Sequence, residues 1–291
     1  MEQPPQASDQ RDAAQIAYWN DKTAASWTAL QESIDPVFAP LTTLAIQAAA
    51  PNGGERVLDI GSGCGATILQ LAQRVGPQGH VLGIDVSTPM SARARERIAA
   101  ARIANAEVVV ANAATYDFAP VDRDLLFSSF GVMFFAEPVA ALINLRRAMR
   151  RNGRLEWVVW RRLAENPWFS VPLQAVLPLL PPAQAVDPLA PGPFAFADAD
   201  RVNDVLRSAG WRNVRVERHD IPMRLAAADD VATAAEIVTW VGPLARRLAG
   251  SRDNAALQAA VKRAIEDALR AHTRDDGIVL TASVWLVSAD A

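Results

Sequence analysis

The sequence predicts an α/β protein built on a doubly wound, mostly parallel sheet. Three observations carry that reading. Short apolar runs alternate with helical stretches between Arg56 and Trp160, a glycine-rich turn separates the first run from its helix, and 291 residues at 51% hydrophobic content can bury a full core.

From Arg11 to about Ala50, apolar residues recur at helical spacing (Ile16, Trp19, then Ala24, Trp27, Leu30, Ile34), with Asp35-Pro36 read as a stop between two helices. RVLDI, after the loop Pro51 to Gly54, reads as a buried strand, and GATILQLAQRV as the helix behind it. HVLGID is the second strand, followed by a helix from Ser87 to Ala104 with a Ser/Thr-Pro cap signature. AEVVVA and RDLLFSS continue the strands, Glu137 to Met149 reads as a helix, and GRLEWVVW follows the turn Arg151-Asn152-Gly153.

Between Pro167 and Pro193 eight of the 19 prolines interrupt the pattern, which indicates an apolar insertion over the sheet edge with a helix near Val171 to Leu180. The remainder reads as the helix Asp198 to Ala209 with Gly210 as its cap, the strand WRNVRVERHD, helical stretches at Val231 to Leu248 and Asn254 to His272, and a last strand, GIVLTASVWLV. The expected organisation is a disordered tail (1–12), N-terminal cap helices (13–50), a cofactor-binding core (51–162), a proline-rich cap insertion (163–197), and the rest of the core (198–291) with a helical insertion at about 229–273.

A net charge of −3 with no basic stripe disfavours nucleic acid, and the single Cys64 excludes an internal disulfide and a cysteine zinc site. No metal is expected. Reducing cytoplasm fits best. The uncharged stretch Asn166 to Val186 has the length of a membrane span, but its five prolines argue against a membrane helix.

Gly61, Gly63 and Gly65, in VLDIGSGCG, let the chain turn sharply and let backbone N–H groups approach a ligand. The same glycines satisfy a dinucleotide fingerprint, and charge decides between the cofactors. Asp59, at the strand tip, would repel a pyrophosphate and favour the ammonium and sulfonium of S-adenosylmethionine. Asp85 offers two acceptors to a ribose diol, and Asn112 with Ala113 is placed to meet an adenine. Asn112 reads equally as an Asx-turn residue, and Asp85 also as a helix cap.

With these residues, the chain resembles the class I S-adenosylmethionine-dependent methyltransferases, particularly the ubiquinone/menaquinone-biosynthesis branch, over roughly Arg56 to Trp160. The resemblance implies a Rossmann-like, seven-stranded sheet whose last strand is reversed and inserted between the fifth and sixth. It assigns Asp59, Gly61, Ser62 and Gly63 to the methionine moiety, Asp85 to the ribose, Val86 and Met90 to the adenine flanks, and Ser128 to the methionine border. The family's usual Asp-Ala is Asn112-Ala113 here, which keeps an acceptor and loses a charge.

Phe130 and Met133, leaving the fourth strand, and Trp19, Trp27 and Trp168, outside the sheet, are candidates for an apolar substrate wall, with ordinary core packing as the alternative for each. Trp240, Phe134 and Phe135 belong to the same group. His219 is the candidate base, and Tyr18 a candidate cofactor contact. The expected activity is methyl transfer to a small, fairly apolar metabolite in a capped pocket, with a homodimer possible. The alternatives are an NAD-dependent oxidoreductase and a non-catalytic S-adenosylmethionine-binding module.

Overall fold

The computed structural model describes residues 7–119, 121–182, 187 and 189–291. Three helices, α1 (Ala7–Tyr18), α2 (Lys22–Ala29) and α3 (Gln31–Ala49), precede the sheet where the sequence reads two. α1 starts inside the stretch read as a disordered tail, and residues 1–6 lie outside the described residues.

Asp35-Pro36 does not stop α3. Ile34, Val37, Leu41, Ala45, Ile46 and Ala49 form one buried face at helical spacing, while Pro36 and Pro40 lie on the exposed face. There the carbonyls that lose their amide partners meet water, and packing outweighs the two missing hydrogen bonds.

The core alternates β1 (Arg56–Ile60), α4 (Ala66–Val75), β2 (His80–Asp85), α5 (Thr88–Ala100), β3 (Ala106–Val110), β4 (Arg123–Ser129), α6 (Pro138–Arg147) and β5 (Met149–Trp160). The cap signature at Ser87 holds: its hydroxyl accepts from the Met90 amide at 3.4 Å. Arg151-Asn152-Gly153 is an irregularity within β5, whose pairing with β4 skips from Met149 to Arg154.

α7 (Pro167–Val176) opens on Pro167, earlier than its sequence reading, because a proline at the first helical position loses no intrahelical bond. α8 (Ala199–Ser208) is followed by β6 (Arg212–Ala226), which runs six residues past the sequence estimate. The stretch read as one helix after it is two, α9 (Val231–Trp240) and α10 (Gly242–Leu248). Gly242 turns the chain at φ +75°, where a Cβ would lie 2.3 Å from the Phe169 ring. α11 (Ala255–Arg270), the two-residue β7 (Thr273–Arg274) and β8 (Gly277–Asp290) complete the chain.

The sheet runs β3-β2-β1-β4-β5-β8-β6, with β7 paired to β8. The first five strands are parallel, and β8 lies antiparallel to both β5 and β6, the reversed insertion that the resemblance implies. Leu125, Leu126, Phe127, Trp157 and Val158 fill its buried centre. Residues 163–182 and 189–197 contribute Leu163, Phe169, Leu173, Leu177 and Phe194 to a cavity beyond the carboxyl ends of the strands, rather than covering a sheet edge; residues 183–186 and 188 of the insertion lie outside the described residues.

Candidate cofactor and substrate site

Two strand exits cross backbone to backbone at the centre of the site. Gly61 takes φ +71°, and a Cβ on it would lie 2.6 Å from the Gly131 Cα; one on Gly131 would lie 2.4 Å from the Ile60 carbonyl oxygen. Only glycine fits at both places. Ser128 fixes the crossing by donating to the Ile60 carbonyl (2.8 Å) and accepting from the Gly131 amide (3.1 Å).

Asp85 joins the loop to β2. Its Oδ2 accepts from the Gly63 amide and its Oδ1 from the Ser87 amide, both at 2.8 Å. Burial pushes its pKa above the ordinary carboxylate value, while those two amides pull it down. Each oxygen keeps a lone pair for a further donor, the requirement for a diol.

Asp59 is placed differently from its sequence reading. Its side chain is fully buried beneath the loop and accepts from the Thr67 hydroxyl, and Thr67 rather than Asp59 lines the cavity. Burial raises its pKa to about 7, with the Thr67 bond opposing the rise and the Asp85 charge adding to it. The charge assigned to it from sequence is therefore partly neutralised at neutral pH and acts from behind the wall.

The cavity measures about 1070 Å³ and is walled by Trp19, Trp27, Phe38, Phe130, Phe134, Trp160, Phe169, Phe194 and Trp240. Phe130 stacks on Trp160 (centroids 4.2 Å apart, planes at 15°) from a left-handed backbone conformation, φ +64°. Phe38 meets Phe130, Trp160 and Trp27 edge-on, and Trp19 meets Phe134 at 5.1 Å.

Gly61, Ser62, Gly63, Asp85, Val86, Met90, Asn112, Ala113, Trp19, Trp27, Phe130 and Met133 all line this cavity, as do Tyr18 and Phe135. Ser128 and Trp168 do not. Ser128 braces the crossing from below, and Trp168 is buried behind its neighbour Phe169 and the ring of Phe38. Asn112 closes an Asx turn onto the Ala114 amide (3.0 Å) and donates to Asp12 of α1 (3.2 Å).

His219 is not a cavity residue. The extra length of β6 leaves it within the strand, opposite Val284 and two strands from Trp160, and Glu217 is its ion-pair neighbour at 3.9 Å. The adjacent Asp220 is committed to Arg161 (2.7 Å) and Ser283 (2.6 Å), which tie β5, β6 and β8 together. Among the described residues no histidine lines the cavity and no cluster of His, Cys, Asp and Glu has the geometry to hold a metal ion.

Sequence reasoning did not single out Phe38, Trp160, Phe169 or Arg246. Trp160 falls in a predicted buried strand and Phe169 in the proline-rich insertion, and nothing local marks which face of a cap helix meets a sheet end.

The cavity is divided by charge. Its lining from Asp12 to Ala113 contains Asp12, Asp35 and Asp85 and no arginine, lysine or histidine; Asp35 is paired to Arg97 at 2.7 Å. An anionic pyrophosphate has no cationic partner there. A Cβ on Gly63 would touch Met90 at 3.2 Å, and the Ser62 side chain is turned down against Gly83 of β2, so bare backbone lines this part of the cavity. These features fit a nucleoside that carries an ammonium and a sulfonium.

A glycine cradle on β1, a diol acceptor ending β2 and a reversed strand beside β5 are the features of one class: the chain is similar to the class I S-adenosylmethionine-dependent methyltransferases. Residues 57–153 match the family described as "Methyltransferase domain". Aklanonic acid methyltransferase DauC of Streptomyces sp. (strain C5) is 32% identical over 145 residues, 50% of this chain and 61% of that protein. The match thus spans less than two thirds of that relative. Nocamycin O-methyltransferase of Saccharothrix syringae is 28% identical over 204 residues, 66% of this chain and 71% of the other. Phosphoethanolamine N-methyltransferase 2 of Haemonchus contortus, solved with S-adenosylhomocysteine, shares the fold at TM-score 0.57 and 15% identity, covering 100% of this chain and 61% of that one. S-adenosyl-L-methionine is the cofactor of this family. Among the described residues no helix is long and apolar enough to cross a membrane.

Proposed function

We propose that the protein transfers a methyl group from S-adenosylmethionine to a small, largely aromatic or apolar metabolite, by in-line displacement in a capped, water-poor pocket. One observation carries the proposal: the glycine cradle and Asp85 open directly into a compartment walled by aromatic rings. The similarity to an aklanonic acid methyltransferase and a nocamycin O-methyltransferase supports a small-molecule acceptor.

When bound, S-adenosylmethionine supplies a methyl group on a sulfonium, already activated for displacement. Asp85 would hold the ribose diol, the Gly61 to Gly63 backbone the methionine end, and Val86, Met90 and Ala113 the adenine. Phe130, Phe134 and Trp160 orient a flat acceptor and exclude water, which makes alignment the chief source of acceleration. The absence of histidine from the described cavity lining, with His219 outside it, favours an acceptor that arrives already nucleophilic. We further propose a cytoplasmic location and no nucleic-acid partner, from the lone cysteine and the balanced charge.

Calorimetric titration with S-adenosylhomocysteine and with NADH tests the cofactor. Tight S-adenosylhomocysteine binding, at least tenfold weaker in Asp85→Ala, is expected, with no response to NADH. Tight NADH binding would replace this reading with the oxidoreductase one. Cofactor binding with no transfer of labelled methyl to a panel of aromatic acids and quinones would favour the non-catalytic module.

A further inference from the structure

The part of the cavity lining that comes from the C-terminal half of the chain carries the opposite charge. From Trp160 to Arg247 the lining contains Arg162, Arg201, Arg246 and Arg247 against Asp187 and Asp198. Arg162 is neutralised by Asp198 at 2.7 Å. The other three have no carboxylate within ion-pair distance among the described residues. Arg201 donates through Nε to the Ala195 carbonyl (2.9 Å), Arg247 donates to the Pro181 carbonyl and keeps a buried Nε without a partner among the described residues, and Arg246 has no hydrogen-bond acceptor among them.

Arg246 and Arg201 border the same strap of chain. The Arg246 Nη1 lies 3.9 Å from where a Cβ on Gly192 would stand, and Arg201 is bound to Ala195, three residues along. The strap is pinned to the segment that leaves β4, because the Gly192 amide donates to the Met133 carbonyl at 3.1 Å. The guanidinium of Arg246 sits 5.0 Å from the Tyr18 ring centroid, a contact that fixes its plane without using its donors. Unpaired planar donors beside an aromatic-walled space are suited to a planar anion on a ring system.

We infer that Arg246 and Arg201 bind a carboxylate carried by the substrate. The inference rests on the methyl-transfer reading and adds a substrate class to it: aromatic carboxylic acids. The carboxylate is a handle and not the methyl acceptor, since guanidinium donors occupy the lone pairs that a nucleophile needs. The acceptor atom is then elsewhere on the ring system, toward the glycine cradle.

The test uses quenching of the cavity tryptophans by anthraquinone-2-carboxylate and by its neutral carboxamide, with and without saturating S-adenosylhomocysteine. The acid is expected to bind at least tenfold tighter than the amide. Arg246→Gln and Arg201→Gln should each bring the acid toward the amide's affinity and leave the amide unchanged, and Arg246→Lys should restore part of the preference. S-adenosylhomocysteine affinity, measured on every variant, reports that the fold is intact. Equal binding of acid and amide, binding of neither, or a preference that survives both substitutions overturns the inference. Loss of S-adenosylhomocysteine binding by the wild type would instead overturn the parent reading, and the acid preference is still read without it.

Discussion

Asp59→Asn separates the electrostatic role of the buried acid from its shape. In the folded protein Asp59 titrates at about 7 because it is fully buried, against an ordinary 3.8. Folding therefore favours its protonated form. The associated stability is complete below about pH 4, declines as pH rises from there through 7, and is absent above. At 1.36 kcal/mol per pH unit, the stretch from pH 5 to about 7 corresponds to ~3 kcal/mol. Asparagine keeps an oxygen for the Thr67 hydroxyl and has nothing to ionise. Urea denaturation of both proteins at pH 5, 6, 7 and 8 should show the difference moving in favour of asparagine by about 3 kcal/mol across that range. Carboxyls other than Asp85, whose charge couples to Asp59, titrate alike in both proteins and cancel. Parallel stability profiles would refute the argument, because they would mean that Asp59 is already ionised, or already solvated, at pH 5. S-adenosylhomocysteine affinity adds a second reading. The ammonium of S-adenosylhomocysteine favours the ionised acid, so wild-type affinity should rise more steeply with pH through 7 than the variant's.

Gly131→Ala places a methyl 2.4 Å from the Ile60 carbonyl oxygen, so the strand exits must separate; a loss of ~1–3 kcal/mol in urea and weaker S-adenosylhomocysteine binding are expected together. Phe130→Asn relieves a left-handed backbone that costs a bulky residue ~1–2 kcal/mol, but removes the ring stacked on Trp160. Its expected signature is a higher KM for an aromatic acceptor with S-adenosylhomocysteine affinity unchanged, measured by calorimetry and steady-state turnover. His219→Ala, outside the described cavity lining, should leave kcat within twofold and its pH profile unmoved.

Where sequence was legible, one short segment determined the outcome. VLDIGSGCG and the acid ending GID specify a strand, a turn with positive φ and a diol acceptor, and the loop and Asp85 sit as their types require. Hydrophobic runs of four to eight residues located the core strands, because a parallel strand buried on both faces has no other composition. What failed was long-range. Nothing local distinguishes Asp59 facing a ligand from Asp59 facing Thr67. That depends on which side of β1 carries α4, and a one-residue change of register would exchange the two. Asp35-Pro36 misled because α3 is held by its buried face, which is set by partners far away in sequence. His219 was misjudged because pairing with β8 extends β6 past its apolar pattern.

A thinly attached stretch lies over the glycine cradle, and it offers a ligand a way in. None of the residues 10–20 is fully buried, yet Asp12, Gln15, Ile16, Tyr18 and Trp19 line the site. Polar ties hold this stretch: Arg11 to Glu137, Asn112 to Asp12, and Asn20, which donates to the Val86 carbonyl (2.8 Å) and accepts from the Thr88 amide (2.9 Å). An exposed ion pair contributes ~0–1 kcal/mol, and a hydrogen bond ~0.5–1.5 kcal/mol. With the Trp19–Phe134 and Tyr18–Arg246 contacts, each worth ~0.5–1.5 kcal/mol, they give ~4 kcal/mol, so α1 should stand open about one time in a thousand while the sheet stays folded. Arg11→Ala with Asn20→Ala should then raise the S-adenosylhomocysteine dissociation rate about tenfold, followed by stopped-flow tryptophan fluorescence, and change the melting temperature little. High salt should act in the same direction on the wild type, through the exposed Arg11–Glu137 pair. Amide exchange in α1 as slow as in β1 and β4, or a dissociation rate indifferent to both substitutions, would mean that the ligand leaves by another route and that the aromatic half of the cavity is its exit.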